Sequence, residues 1–188
     1  MLVLLGASNL RRMHEAFGSY GVPVTSLSVG GATVSPIKQN NLFNKLTEYL
    51  ERRSCNDGDD IIILGGTNDF LSNVAISEIK KNYRKIVELA ADNFNRVILA
   101  KVPPIPSLTR EDNRVIAEFN EWLKAIGSLN PQCILVAETW DPFVEKGKEY
   151  PNMSLYESYY ENGGYDMIHL NKDGLLILRD VLLKAKVE

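Results

Sequence analysis

Asp60-Ile61-Ile62-Ile63-Leu64-Gly65-Gly66-Thr67-Asn68-Asp69 decides the architecture, because an apolar, β-branched run breaks there into glycines and then into small polar residues. Such a short run, bounded by a turn signal, reads as a buried strand. Leu2-Val3-Leu4-Leu5 has the same construction and ends in Gly6-Ala7-Ser8-Asn9, while Val24-Thr25-Ser26-Leu27-Ser28-Val29 runs into Gly30-Gly31. Continued along the chain, the pattern predicts strands near 2–5, 24–29, 60–65, 96–101 and 133–137, with helices near 9–20, 36–53, 77–94, 111–128 and 172–186. Helix starts fall at Ser77-Glu78 and at Thr109-Arg110-Glu111-Asp112, where a capping side chain precedes an acidic first turn. Strands alternating with helices imply an α/β protein of three layers, a five-stranded parallel sheet covered on both faces. Doubly wound sheets take ligands at the carboxyl ends of their strands, the edge that Ser8, Gly31 and Asn68 share.

Those residues have matching chemistry. A serine at a strand-to-helix turn presents its Oγ at the sheet edge, with its own N–H near a helix N-terminus facing any anion in front of it. Small residues followed by Asn are also ordinary capping chemistry. Asn68 can donate its side-chain amide to an oxyanion and Asp69 can brace the turn by accepting backbone N–H groups, or the pair simply forms an Asx-turn. Gly31 offers a backbone N–H with no side chain in the way. His169 is one of two histidines and follows Asp166 by three residues, after Asn162-Gly163-Gly164. A carboxylate that near can orient the imidazole, which would take a proton from Ser8 and return it to a leaving group. His14 has no such neighbour and reads as structural or exposed.

Taken in order, these blocks resemble the SGNH hydrolases, also called the GDSL family of esterases and lipases. Ser8 matches the nucleophile block, Gly31 the glycine block, Asn68 the Gly66-Thr67-Asn68-Asp69 block, and Asp166 with His169 the last block, followed as in the family by Leu170-Asn171-Lys172-Asp173-Gly174 and a C-terminal helix. The resemblance spans the chain as one domain, 1–188, with one departure: Ala7 stands where the family usually carries Asp. It implies a flavodoxin-like fold and a serine esterase without cofactor or metal. In that scheme Ser8, His169 and Asp166 are catalytic, and Ser8 N–H, Gly31 N–H and Asn68 form the oxyanion hole. Compact domains of this type are similar to those in the gag-like first reading frame of some LINE retrotransposons, and to stand-alone lysophospholipases and carbohydrate acetylesterases. Ala7 is the feature that favours a different class, a non-catalytic lipid- or partner-binding module on the same fold.

Composition bounds the rest. With 188 residues, 45% of them hydrophobic, the chain can bury a full core without disulfides. Cys55 in a polar loop and Cys133 at a strand start have no metal-ligand spacing and read as free thiols in a reducing, cytoplasmic setting. Neither a signal peptide nor an apolar run of ~20 residues is expected. The chain starts almost on its first strand and ends in its last helix, as would a domain cut from a longer protein. A net charge of −3 with dispersed Lys and Arg argues against nucleic-acid binding. Residues 142–165 are the least regular part and rich in aromatic side chains. Met153, Tyr156, Tyr159 and Tyr160 are expected to line a mobile, partly exposed groove or lid for short to medium acyl chains, able to touch lipid, or else to cap the sheet edge. Pro103-Pro104-Ile105-Pro106 is expected as a stiff pocket wall at the same edge.

Overall fold

The computed structural model describes residues 1–53, 58–148, 150–160 and 162–187; Cys55 lies outside the described residues. Strands β1 (Leu2–Gly6), β2 (Val24–Ser26), β3 (Asp60–Leu64), β4 (Arg96–Ala100) and β5 (Ile134–Ala137) form one parallel sheet in the order β2-β1-β3-β4-β5. Helices α1 (Ser8–Phe17) and α6 (Lys172–Val187) cover one face, and α2 (Leu42–Arg52), α4 (Ile76–Ala91) and α5 (Arg110–Leu129) the other; α3 (Thr67–Leu71) is a short turn of helix directly after β3. The chain is thus a three-layer α/β/α protein.

The period of two along each strand builds both cores. Leu2, Leu4, Ile62 and Ile98 face α1 and α6 with Met13 and Leu178, while Val3, Leu5, Ile61, Ile63, Val97 and Leu99 face the opposite layer with Leu46, Ile86 and Phe119. These side chains are fully buried, and each contributes about 1.5–3 kcal/mol by leaving water. Such strands are apolar throughout because neither face of a doubly wound sheet meets solvent. In the β1–β3 ladder Gly6 lies opposite Leu64, so the strands end level and the segments carrying Ser8 and Asn68 emerge side by side.

Several boundaries differ from the sequence expectation. β2 stops at Ser26, although Leu27 and Val29 still donate to Leu4 and Gly6 carbonyls at 2.7 and 3.0 Å. The helix expected from 36 begins only at Leu42, where the Asn41 side chain accepts the Asn44 N–H at 3.0 Å. Ser77 is not a cap: its helix starts at Ile76, with Ala75 in the capping position. Thr109 does cap, in a reciprocal box with Asp112. α1 ends at Phe17 before Gly18, short of Tyr20. α3 follows Gly66, whose φ of +115° is open to glycine and strained for other residues. No described helix is long and apolar enough to cross a membrane.

Candidate active site

Ser8 is the first residue of α1, directly after a strand end, and Ala7 before it is extended. Its Oγ lies 2.9 Å from His169 Nε2, across 161 residues of sequence. On the other side of the ring, His169 Nδ1 is 2.9 and 2.8 Å from the two Asp166 carboxylate oxygens. Asp166 is buried, and its Oδ1 also accepts the Ile168 and His169 N–H groups at 3.1 and 2.9 Å. Between them Met167 is held at φ +50°, a left-handed conformation costing about 1–3 kcal/mol for such a residue. Its N–H donates to the Glu157 carbonyl at 3.1 Å and its carbonyl accepts the Ser107 N–H at 3.1 Å. With the carboxylate on Nδ1, Nε2 is the ring nitrogen left facing Ser8 Oγ.

Of the donors expected to face an oxyanion, Ser8 opens α1, Asn68 lies in α3 and Gly31 lies in the loop after β2. Asn68 Nδ2 donates to the Ala32 carbonyl at 2.8 Å, which fixes the amide against the Gly31 loop and leaves its second N–H for another acceptor. Gly31 itself has φ +74°. Asp69 braces more than its own turn. Its fully buried carboxylate accepts the Val34 and Ser35 N–H groups at 2.8 Å each, tying α3 to the loop after β2. Burial pushes the Asp69 carboxyl above the usual carboxylate range, against the opposing pull of those two hydrogen bonds.

Asn9 was missed in the sequence, where it reads as turn chemistry. Buried beside Ser8, it accepts the Leu170 N–H on Oδ1 at 3.0 Å and so joins the serine helix to the residue after His169. Two more asparagines act alike: Asn113 bonds the Ile105 N–H and carbonyl at 2.8 and 3.0 Å, and Asn120 those of Val102 at 2.8 and 2.9 Å. The proline loop after β4 is therefore held by α5. Pro104 and Pro106 line hollows that do not include His169, and Trp140 and Met153 belong to those hollows.

The aromatic segment pairs its backbone with the residues that carry His169. Residues 155–160 run antiparallel to residues 164–171: Glu157 N–H donates to His169 O at 2.8 Å, Asp166 N–H to Ser158 O at 3.2 Å and Asn171 N–H to Leu155 O at 3.0 Å. Of the four residues expected to line an acyl groove, two are placed elsewhere. Tyr156 is buried in the core under Phe143, its hydroxyl donating to Pro104 O at 2.5 Å, because a ring so enclosed must satisfy its O–H internally. Met153 is half-exposed beside Tyr150, away from the serine. Tyr159 and Tyr160 do adjoin His169, in an open hollow of about 620 Å³ that also touches Arg11, Arg12, Glu157 and Asp166. Tyr160 meets the imidazole edge-on at 5.8 Å, and partial burial, helped by the Asp166 charge, raises its phenol. The recess touching Ser8 itself, between Ala7, Leu64 and Thr67, is only about 10 Å³. His14 is stacked on Tyr20 at 5.8 Å and takes no part in the site. No group of three or more His, Cys, Asp or Glu suited to a metal occurs among the described residues.

A serine, a histidine and a carboxylate aligned at the carboxyl edge of such a sheet define the class of the site. The chain belongs to the GDSL-like lipase/acylhydrolase family, which it matches over residues 6–175. A comparison with functionally curated proteins found no match. Among solved structures, a member of the lipolytic G-D-S-L family from Veillonella parvula is 16% identical, with TM-score 0.76 over 100% of this chain and 98% of that one. A catalytic mutant of an acetylxylan esterase from Geobacillus stearothermophilus is 17% identical, with TM-score 0.70 over 98% and 92% of the two chains. The OSK domain of Drosophila Oskar is 15% identical, with TM-score 0.70 over 97% and 86%. At these identities the likeness is one of fold, shared by esterases and by Oskar.

Proposed function

We propose that the protein is a serine esterase that hydrolyses carboxylic esters with short to medium acyl groups. The observation that carries this reading is the continuous hydrogen-bonded series from Ser8 through His169 to Asp166. His169 Nε2 takes the proton as Ser8 Oγ attacks the ester carbonyl carbon, and the carbonyl oxygen becomes an oxyanion facing the Ser8 and Gly31 N–H groups and the Asn68 amide. The carbon–oxygen bond to the alcohol then breaks, with His169 returning the proton to the departing oxygen. Water attacks the acyl-serine by the same route, releasing a carboxylic acid and restoring Ser8. Asp166 orients the ring and steadies the imidazolium. No cofactor enters this chemistry.

One feature favours a non-catalytic module instead: Ala7, with no carboxylate in the serine turn. Yet Ser8 is held at 2.9 Å from the imidazole without that carboxylate. A panel of activated esters from acetyl to decanoyl separates the readings. Ser8→Ala should remove on the order of 10⁴- to 10⁶-fold of kcat while leaving the thermal transition in place. Equal rates in parent and Ser8→Ala would overturn the assignment.

A further inference from the structure

The hollow beside His169 has a definite role in the proposed reaction and a charge arrangement that the reaction does not use. The histidine that returns a proton must face the departing oxygen, so the alcohol portion of an ester lies on the His169 side. That side is the open hollow of about 620 Å³, lined by polar and aromatic groups rather than by an aliphatic groove. Its charges are largely matched within it: Asp166 serves His169, and Arg12 pairs with Glu157 at 3.0 Å across 145 residues.

Arg11 is different. It follows Ser8 by three residues, which places it on the same flank of α1 one turn along. Its guanidinium lies beside Gly30, with Nε and Nη2 3.9 Å from where a β-carbon would stand, so it bridges the glycine loop and the hollow. Its ion pair is with Glu15 at 3.1 Å, a pair one helical turn apart with both side chains about half exposed. Pairs of that kind are worth little in water and are readily exchanged for a better partner. A planar guanidinium at the rim of the site can instead take a carboxylate or phosphate through paired N–H donors.

We propose that Arg11 is a specificity residue that receives an anionic group, carboxylate or phosphate, carried by the alcohol portion of the ester. This rests on the esterase reading for the orientation of the substrate, but the anion site can be tested apart from turnover. Calorimetric titration with lactate and with glycerol 3-phosphate, the alcohols left after hydrolysis of the corresponding acetyl esters, should detect binding to the parent that weakens about 10- to 100-fold in Arg11→Gln. Arg11→Lys should keep part of the affinity as a point charge without the fork. The stronger of the two alcohols identifies whether carboxylate or phosphate is the fitted group. In kinetics, acetyl esters of these alcohols should be preferred over the acetyl ester of a neutral glycol. Arg11→Gln should lose that preference through KM, with the neutral ester unaffected.

Absence of binding by either alcohol, or equal binding by parent and Arg11→Gln, overturns the proposal whether or not esters are cleaved. Loss of the neutral ester along with the anionic ones also overturns it, since Arg11 would then support the fold or the serine turn. Binding that depends on Arg11 without turnover of any ester would instead refute the esterase reading and leave the anion site standing.

Discussion

The two halves of the site are held by different means. Ser8, the Gly31 loop and Asn68 sit at the ends of β1, β2 and β3, and their positions follow from a sheet whose ladder brings Gly6 level with Leu64. Asp166 and His169 sit in a loop with no strand of the sheet beneath them. They are positioned by Met167 at positive φ, by the antiparallel run of residues 155–160, and by Asn9 reaching across from the serine helix. The first half derives its rigidity from buried strands, whereas the second depends on a few hydrogen bonds that each contribute on the order of 1 kcal/mol. Substitutions can therefore damage the two halves in distinguishable ways.

The largest stability effect should come from Asp69, which joins two parts of the strand-borne half. Asp69→Ala leaves the buried Val34 and Ser35 N–H groups without an acceptor and should lower unfolding free energy by roughly 2–5 kcal/mol, measured by urea denaturation. The same residue gives a signed pH effect. Burial raises its folded-state pKa above the unfolded value, so the folded protein binds this proton more tightly, and its contribution to stability declines as pH rises from the unfolded to the folded pKa. The stability of the parent relative to Asp69→Asn should therefore fall across that window. A relative stability that rises would show that the two hydrogen bonds outweigh burial.

At Asn68, on the same half, the effect should be kinetic. Asn68→Ala is expected to lower kcat by roughly 10²-fold with KM nearly unchanged, since the second amide N–H, not the one held by Ala32, gains its acceptor only when charge develops. An effect confined to KM would mean that Asn68 binds the ground-state ester.

Asn9 tests the loop-borne half. Asn9→Ala should lower kcat by about tenfold through a displaced His169 and cost about 1–3 kcal/mol of stability, whereas Asn9→Asp, which keeps the acceptor for Leu170 N–H, should recover most of the rate. If both variants lose the same activity, Asn9 acts through packing and not through that hydrogen bond. The smallest effect belongs to Tyr160→Phe: its ring contact with His169 remains and only the hydroxyl goes, so kcat should change by less than about threefold in esterase assays.

The legibility of the two halves differs for the same reason that their rigidity does. Strands near 2–5 and 60–65 were visible because apolar runs ending in glycine are local patterns, and the one near 96–101 because its apolar run ends in prolines; the blocks at Ser8, Gly31 and Asn68 inherit a common edge from such strand ends. Capping at Thr109 was equally local, since Thr and Asp three residues apart contain both partners. Ser77 misled because a good capping residue loses to a helix already begun at Ile76, whose side of the helix carries the buried Ile79 and Tyr83. The aromatic segment misled more. Nothing in its composition separates Tyr156, sealed in the core with its hydroxyl on Pro104, from Tyr159, more than half exposed at the site.

By itself the sequence determined the layer architecture, the edge at which the site lies, and the residue types able to act there, because these depend on periodicity and turn chemistry within short windows. Tertiary structure alone decided that Asp69 braces the loop after β2, that Asn9 joins two segments 161 residues apart, and that the hollow beside His169 is polar. Those outcomes depend on which distant groups packing brings within hydrogen-bond reach, and a buried donor or acceptor must find its partner there or forfeit stability.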